Sequence, residues 1–227
     1  MLVFAIDTAL EACSAAMFDS ERNEIIARES IPMARGHAEA LMPLIARVRE
    51  QSGYDFSQID RIAVTTGPGS FTGLRVGIAA ARGLALASGK PVVGLSTLSA
   101  YAAPLIAADA TLPVVAAIDA RHDHVYLQVF GTGGRTLVSP RVVPVAEALR
   151  LSAGGTPRLV GTAANVLAVA WGVNEKIPVS VEQKPAPDID WVARLGATAD
   201  ARTSPAKPLY LRAPDAQPQN AAHLARR

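Results

Sequence analysis

The hydrophobic pattern of this chain opens with three strands in a row before it turns helical, and it does so twice. Leu2–Ile6 is a short apolar run of β-branched and aromatic residues, the signature of a buried strand. Ser14–Asp19 and Asn23–Ser30 read as two more strands, joined by the polar turn Asp19-Ser20-Glu21-Arg22-Asn23. At His37 the period changes. Leu41, Leu44, Ile45 and Val48 fall on one face of a helix running to Gln51 and ended by Gly53. Pro43 lies inside it and predicts a kink or a restart, because proline lacks the amide that a helix interior needs. Ile59–Thr66 is a strand. Thr72 is placed to cap a helix that runs to Ser88 and closes at Gly89. Pro91–Leu95 is a strand and Ser96–Ala108 a helix. After a hinge at Asp109–Pro113 a second meander follows, Val114–Asp119, Val125–Phe130 and Thr136–Ser139. Then come a helix Glu147–Leu151, a strand Arg158–Gly161, helices Ala163–Trp171 and Trp191–Ala199, and a short strand Leu209–Leu211.

This order, βββ-α-β-α-β-α and then a shorter copy, predicts two related α/β halves. Ordinary doubly wound folds open with βαβ units instead. A ribonuclease-H-like or an actin-like architecture, with the second half shorter, matches the order. The expected division is a first lobe over 1–108, a second over 109–213, and a disordered polar tail over 214–227. Of the 227 residues, 50% are hydrophobic and 19% charged, enough apolar material to bury a core and too much for a disordered chain. A net charge of +2 is too small a field to drive non-specific nucleic-acid binding. One cysteine, Cys13, excludes a disulfide framework and a cysteine-rich zinc site. The apolar stretch Val76–Ala87 is interrupted by Arg82 and falls short of the ~20 residues a bilayer crossing needs. A cytoplasmic protein without membrane contact is expected.

Three segments carry candidate chemistry. Asp7-Thr8 ends the first strand, where open α/β sheets place ligands; Asp7 either holds a metal or water, or caps a turn. The turn around Gly67, Gly69 and Ser70 joins a strand to a helix and offers backbone amides to an anion. It is neither a Walker A loop nor a dinucleotide fingerprint, and it serves equally as a tight structural turn. Asp119-Ala120-Arg121-His122-Asp123-His124 brings His122 and His124 to one side if extended, a weak metal-ligand cluster in an ordinary polar hairpin. Gly73, Gly77, Ala80, Leu84 and Ala87 recur at helical spacing. Helical glycine costs about 1 kcal/mol relative to alanine, so something must approach closely: the protein's own sheet or a partner helix.

The string Gly67-Pro68-Gly69-Ser70-Phe71-Thr72-Gly73-Leu74-Arg75-Val76-Gly77 resembles the TsaB (YeaZ) family of tRNA threonylcarbamoyladenosine proteins. Ala5-Ile6-Asp7-Thr8, the stretch from Arg35 to Pro43, Pro91 to Leu98, Asp119-Ala120-Arg121 and Pro208-Leu209-Tyr210-Leu211-Arg212 extend the likeness from residue 2 to 212. The resemblance implies an α/β protein of two ribonuclease-H-like lobes of the actin/Hsp70-like ATPase (ASKHA) fold, the second reduced, and a non-catalytic subunit, a pseudoenzyme, of the complex that makes N6-threonylcarbamoyladenosine at position 37 of tRNA. It implies docking on the catalytic paralogue TsaD, with a TsaE-type ATPase joining them, tRNA reached through the complex, and a homodimer when the chain is alone. ATP and a metal act in those partner subunits, and no cofactor of its own is expected. TsaD holds its metal through His-x-x-x-His on the helix after the strand matching Pro91–Leu95; by alignment Thr97 and Tyr101 stand there, and neither is an imidazole. The pairing face implied comprises His37, Leu41, Leu44, Ile45 and Val48 on one helix with Gly73, Leu74, Gly77, Ala80 and Leu84 on the next. A basic C-terminal segment (Arg202, Lys207, Arg212, Arg226, Arg227) touches tRNA phosphates or is simply solvated. The rival class is a free-standing enzyme, a small-molecule kinase of the actin-like fold or a metallopeptidase. A kinase would need a second phosphate-gripping turn, and Gly161 is the one glycine at that place.

Overall fold

The computed structural model describes residues 1–153, 155–171 and 177–212. The tail expected over 214–227, with Arg226 and Arg227, lies outside the described residues. Two five-stranded sheets are built on one plan. In the first, β1 (Leu2–Asp7), β2 (Ala12–Asp19) and β3 (Glu24–Pro32) form the antiparallel meander, and β4 (Arg61–Gly67) and β5 (Val92–Ser96) add in parallel to give the order β3-β2-β1-β4-β5. The second repeats this with β6 (Val114–Asp119), β7 (His124–Phe130), β8 (Thr136–Pro144), β9 (Arg158–Gly161) and β10 (Ser180–Gln183), in the order β10-β9-β6-β7-β8. The register repeats too: Val3 faces Arg61 in the first sheet and Val114 faces Arg158 in the second.

The helices α1 (His37–Ser52) and α2 (Phe71–Ser88) cover one face of the first sheet. The short α4 (Val145–Ser152) and α5 (Ala164–Trp171) cover the matching face of the second. The other two helices cross over. α3 (Thr97–Ala108) follows β5 in sequence but packs Leu98, Tyr101, Ala102 and Leu105 onto Val114, Ala116, Ile118 and Val160 of the second sheet. α6 (Ile189–Thr198), from the second half, packs Ile189, Val192 and Ala193 onto Val3, Ala5, Ala63 and Val93 of the first. A cut between 108 and 109 therefore separates the sheets but not the cores. Two arginines at equivalent positions tie this exchange down. Arg61 donates to the Gly196, Ala197 and Ala199 carbonyls at the end of α6, at 2.9, 3.4 and 2.5 Å. Arg158, buried, donates to the carbonyls of Leu105, Asp109 and Leu112 at the end of α3, at 2.6, 2.5 and 2.9 Å. Each guanidinium sits at the negative end of a helix dipole and donates to carbonyls at and just beyond that helix's C-terminus.

Several sequence expectations are corrected. α1 continues through Pro43 without interruption, because the tertiary packing of its inner face outweighs one lost hydrogen bond. β8 runs on past Pro140 to Pro144, and β10 was not foreseen in a short, largely polar tetrapeptide, Ser180–Gln183. Leu209–Leu211 is not a strand; it is extended chain crossing the first sheet, with the Leu209 amide donating to the Thr66 carbonyl at 2.8 Å. No helix among the described residues is long and apolar enough to cross a membrane.

Candidate functional site

Two places could hold chemistry: the carboxyl end of β1 and the cleft between the lobes. Asp7 ends β1 fully buried. Its Oδ1 accepts a hydrogen bond from the Thr65 hydroxyl, and another from the Ala9 amide at 3.1 Å, an Asx-type turn. Its Oδ2 is buried without a partner. Burial pushes the carboxyl up to about 6, against the pull of Thr65, Ala9 and the nearby His37. Thr65 was not singled out in the sequence. It becomes visible only through β1–β4 pairing, which sets Ile6 beside Val64 and brings the next hydroxyl to Asp7. The Thr8 hydroxyl donates to the Gly73 carbonyl at 2.7 Å and so is spent within the fold.

The glycines of the Gly67 turn answer to packing. A Cβ on Gly69 would run into the Ala9 carbonyl, one on Gly73 into the Thr8 carbonyl, and one on Gly77 into the Thr8 hydroxyl. Ser70 caps α2 by accepting from the Gly73 amide at 3.3 Å, while its own amide donates to the Ala9 carbonyl at 2.7 Å. The turn is thus zipped onto the end of β1. Gly67 takes a left-handed backbone, φ 111°, which suits glycine. The second lobe repeats the device. Gly161, φ 115°, has no room for a Cβ beside the Ala117 carbonyl, and that carbonyl accepts from the Ala163 amide at 3.1 Å.

The cleft measures about 830 Å³ and is lined from both lobes. Glu11, Arg35, His37, Gly69, Ser70 and Phe71 come from the first; Asp119, Arg121, Thr162 and Gln183 from the second. Tyr210 and Arg212 complete the wall. His37 bonds the Leu10 carbonyl through Nε2 at 2.9 Å. At the lip Arg75 lies over the Phe71 ring at 3.7 Å, and its Nε donates to the Tyr210 hydroxyl at 3.2 Å. The rings of Phe71 and Tyr210 stand 5.4 Å apart. Asp7, Thr8, Thr97 and Tyr101 do not line this space. Thr97 is sealed, and the Tyr101 hydroxyl, pushed up first of all by burial, donates to the Lys184 carbonyl at 3.0 Å. A hydroxyl and an engaged phenol are poor metal ligands. In the hairpin, His124 Nδ1 bonds the His122 carbonyl at 2.6 Å. Among the described residues no three His, Cys, Asp or Glu side chains converge.

The expected pairing face needs correction residue by residue. Leu41, Leu44, Ile45 and Val48 are all 0–1% exposed, packed into the first lobe's own core with Met17, Ile62, Leu74 and Ile78. His37, Gly73, Leu74 and Gly77 are buried as well, while Ala80 and Leu84 are half-buried against the same core. The stripe belongs to the protein's own interior because β2, β3 and β4 lie beneath it. The surface that α1 and α2 present to solvent is different. It carries Met42, 53% exposed, and Leu86, 87% exposed, with Ala46, Ala79 and Gly83 also exposed.

Two lobes on a shared meander-first plan, with a cleft between them, define a protein of the actin-like ATPase fold. The tRNA N6-adenosine threonylcarbamoyltransferase family model, TsaD, matches residues 25–183. The chain belongs to this family, on its TsaB/YeaZ branch. It is similar to the tRNA threonylcarbamoyladenosine biosynthesis protein TsaB of Escherichia coli K12, 38% identical over 130 residues, 56% of this chain and 53% of that protein. It therefore spans about half the length of the curated TsaB relatives it matches. An uncharacterised protein of Mycobacterium tuberculosis H37Rv is 33% identical over 218 residues, 95% of this chain and 94% of its own length. YeaZ from Pseudomonas aeruginosa superposes with a TM-score of 0.74 at 29% identity, covering 92% of this chain and 99% of that one.

Proposed function

We propose that this chain is a non-catalytic subunit in the synthesis of N6-threonylcarbamoyladenosine in tRNA. It docks on a TsaD-type catalytic paralogue through the outer face of α1 and α2 and pairs with a second copy when that paralogue is missing. A TsaE-type ATPase and tRNA meet the assembled complex, and ATP and metal act in the partners. The observation that carries this reading is the division of labour on the two helices. Their inner faces are fully occupied by the first lobe's core, and their outer faces still show Met42 and Leu86 among exposed small residues. Large apolar side chains flanked by alanine and glycine let another helix come close. The interior chemistry agrees. The positions matching the paralogue's histidines hold Thr97 and Tyr101, and beside the two Gly turns the Ser70 and Ala163 amides donate to the Ala9 and Ala117 carbonyls.

Reconstitution tests it. Modification of tRNA by the TsaD-type and TsaE-type partners is expected to need this chain, and an equal rate without it refutes the reading. Gly83 sharpens the test, because a side chain there meets nothing within 4 Å. Gly83→Arg keeps the fold by circular dichroism and loses the complex on a sizing column.

A further inference from the structure

The last described stretch, 204–212, belongs to neither sheet, yet it touches both lobes. Its path begins at the edge strand β5, where the Gly94 amide donates to the Ser204 carbonyl at 2.9 Å. Gly94 admits this chain because it lacks a Cβ, which would meet the Pro205 carbonyl at 2.5 Å and Ala206 Cα at 3.1 Å. Ala206 is then buried in the first lobe's core. The stretch crosses the ends of the strands, where the Leu209 amide donates to Thr66, and it reaches the start of α2, where Tyr210 meets Phe71 and Arg75. Finally Arg212 Nη1 donates to the Ala120 carbonyl at 3.1 Å, on the hairpin of the second lobe.

That hairpin is a firm anchor. Arg121, His122 and Asp123 all have positive φ, 61°, 52° and 59°, a backbone held only where its surroundings dictate it. The Asp119 carboxylate accepts from the Arg121 amide at 2.8 Å, the Ala120 amide donates to His124 at 3.0 Å, and the Val145 amide donates to Asp123 at 3.0 Å.

We infer that residues 204–212 are a strap that fixes the angle between the lobes, so that the cleft is held at one width instead of closing on a ligand. The lobes are joined first through α3 and α6, which pack on the sheets of opposite lobes. A single such junction leaves a hinge free to turn, as two-lobed proteins do when they close. A second attachment across the cleft wall removes that freedom. The consequence is a rigid template: the outer face of α1 and α2 and the hairpin of the second lobe meet a partner in one fixed arrangement. This inference does not depend on what the partner is.

The test is a pair of spin labels across the lobes, at Glu24→Cys on β3 and Ala146→Cys on α4, both exposed. Cys13 is fully buried and stays unlabelled. Labelled protein is diluted into unlabelled protein so that distances report one molecule. The wild type is expected to give one narrow distribution, the same with and without magnesium-ATP. Arg212→Ala broadens it, and Arg212→Lys, which keeps a donor, narrows it again. A broad wild-type distribution, a wild type that shifts with nucleotide, or a folded Arg212→Ala protein as narrow as wild type overturns the inference. Should Arg212→Ala fail to fold, Tyr210→Ala carries the same test with the same outcomes.

Discussion

The two lobes share a strand order, a register and a capping arginine, yet they diverge at the corresponding aspartates. Asp7 ends β1 sealed inside the first lobe, with one oxygen unpartnered. Asp119 ends β6 in the open, at the cleft, its carboxylate satisfied by a turn amide. The covering helices diverge with them: 16 and 18 residues in α1 and α2, 8 in each of α4 and α5. Long helices bury the end of their sheet and leave an outer face to spare. Short ones leave the sheet's end in solvent. Layer thickness, more than strand order, decides which lobe has a surface to offer.

The comparison breaks most severely at Gly77. A side chain there meets the Thr8 hydroxyl on the end of β1, so Gly77→Arg is expected to cost about 5 kcal/mol or more and unfold the first lobe by circular dichroism. Gly83→Arg, six residues further along the same helix, where a side chain meets nothing, is expected to keep the fold and to raise its stability by up to about 1 kcal/mol. The capping arginines sharpen the contrast. Arg158→Met removes the donor shared by the carbonyls of Leu105, at the end of α3, and of Asp109 and Leu112 in the loop after it, and is expected to cost about 2–3 kcal/mol in denaturant melts. Arg61→Met, at a half-buried site, costs about 1–2 kcal/mol.

Asp7 gives the lobes different pH behaviour. Its folded pKa of about 6 lies above its ordinary 3.8, so the fold favours the protonated form. Stability from this group is full below pH ~4 and falls as pH rises through 6, by about 3 kcal/mol in all. Asp7→Asn is expected to flatten that slope in melts between pH 4 and 7; an unchanged slope refutes the assignment. The smallest loss of stability is at Tyr101→Phe, which gives up the bond to the Lys184 carbonyl and is expected to cost about 1 kcal/mol.

The sequence made the strand-first order of both lobes legible, because alternation and turn residues are local. It also exposed the Gly67 turn, but left an anion site and a tight structural turn equally open; the folded chain packs Gly69 and Gly73 against the end of β1 and gives Gly67 a left-handed backbone. The sequence did not show on which side a close approach happens. Leu41, Leu44, Ile45 and Val48 form one apolar stripe whether the cover is the chain's own sheet or a partner, and periodicity cannot distinguish them. Met42 and Leu86, outside that stripe, carried no periodic signal. Thr65 at Asp7 and Arg158 at the end of α3 are non-local meetings, 58 residues and about 50 residues apart in the chain, that only the folded topology brings about. β10 escaped because four residues with one apolar side chain give alternation nothing to act on.

The crossing of α3 and α6 bears on how such a protein could come into being. Each half of the polypeptide lends its neighbour the helix that the neighbour needs to bury its second face. Expressed alone, residues 1–108 would bare Val3, Ala5, Ala63 and Val93 to water and carry in α3 a helix without a seat. An ancestral duplication could therefore persist only as an inseparable pair: neither repeat can be shed, swapped or refined by itself, and any change of geometry in one must be answered in the other.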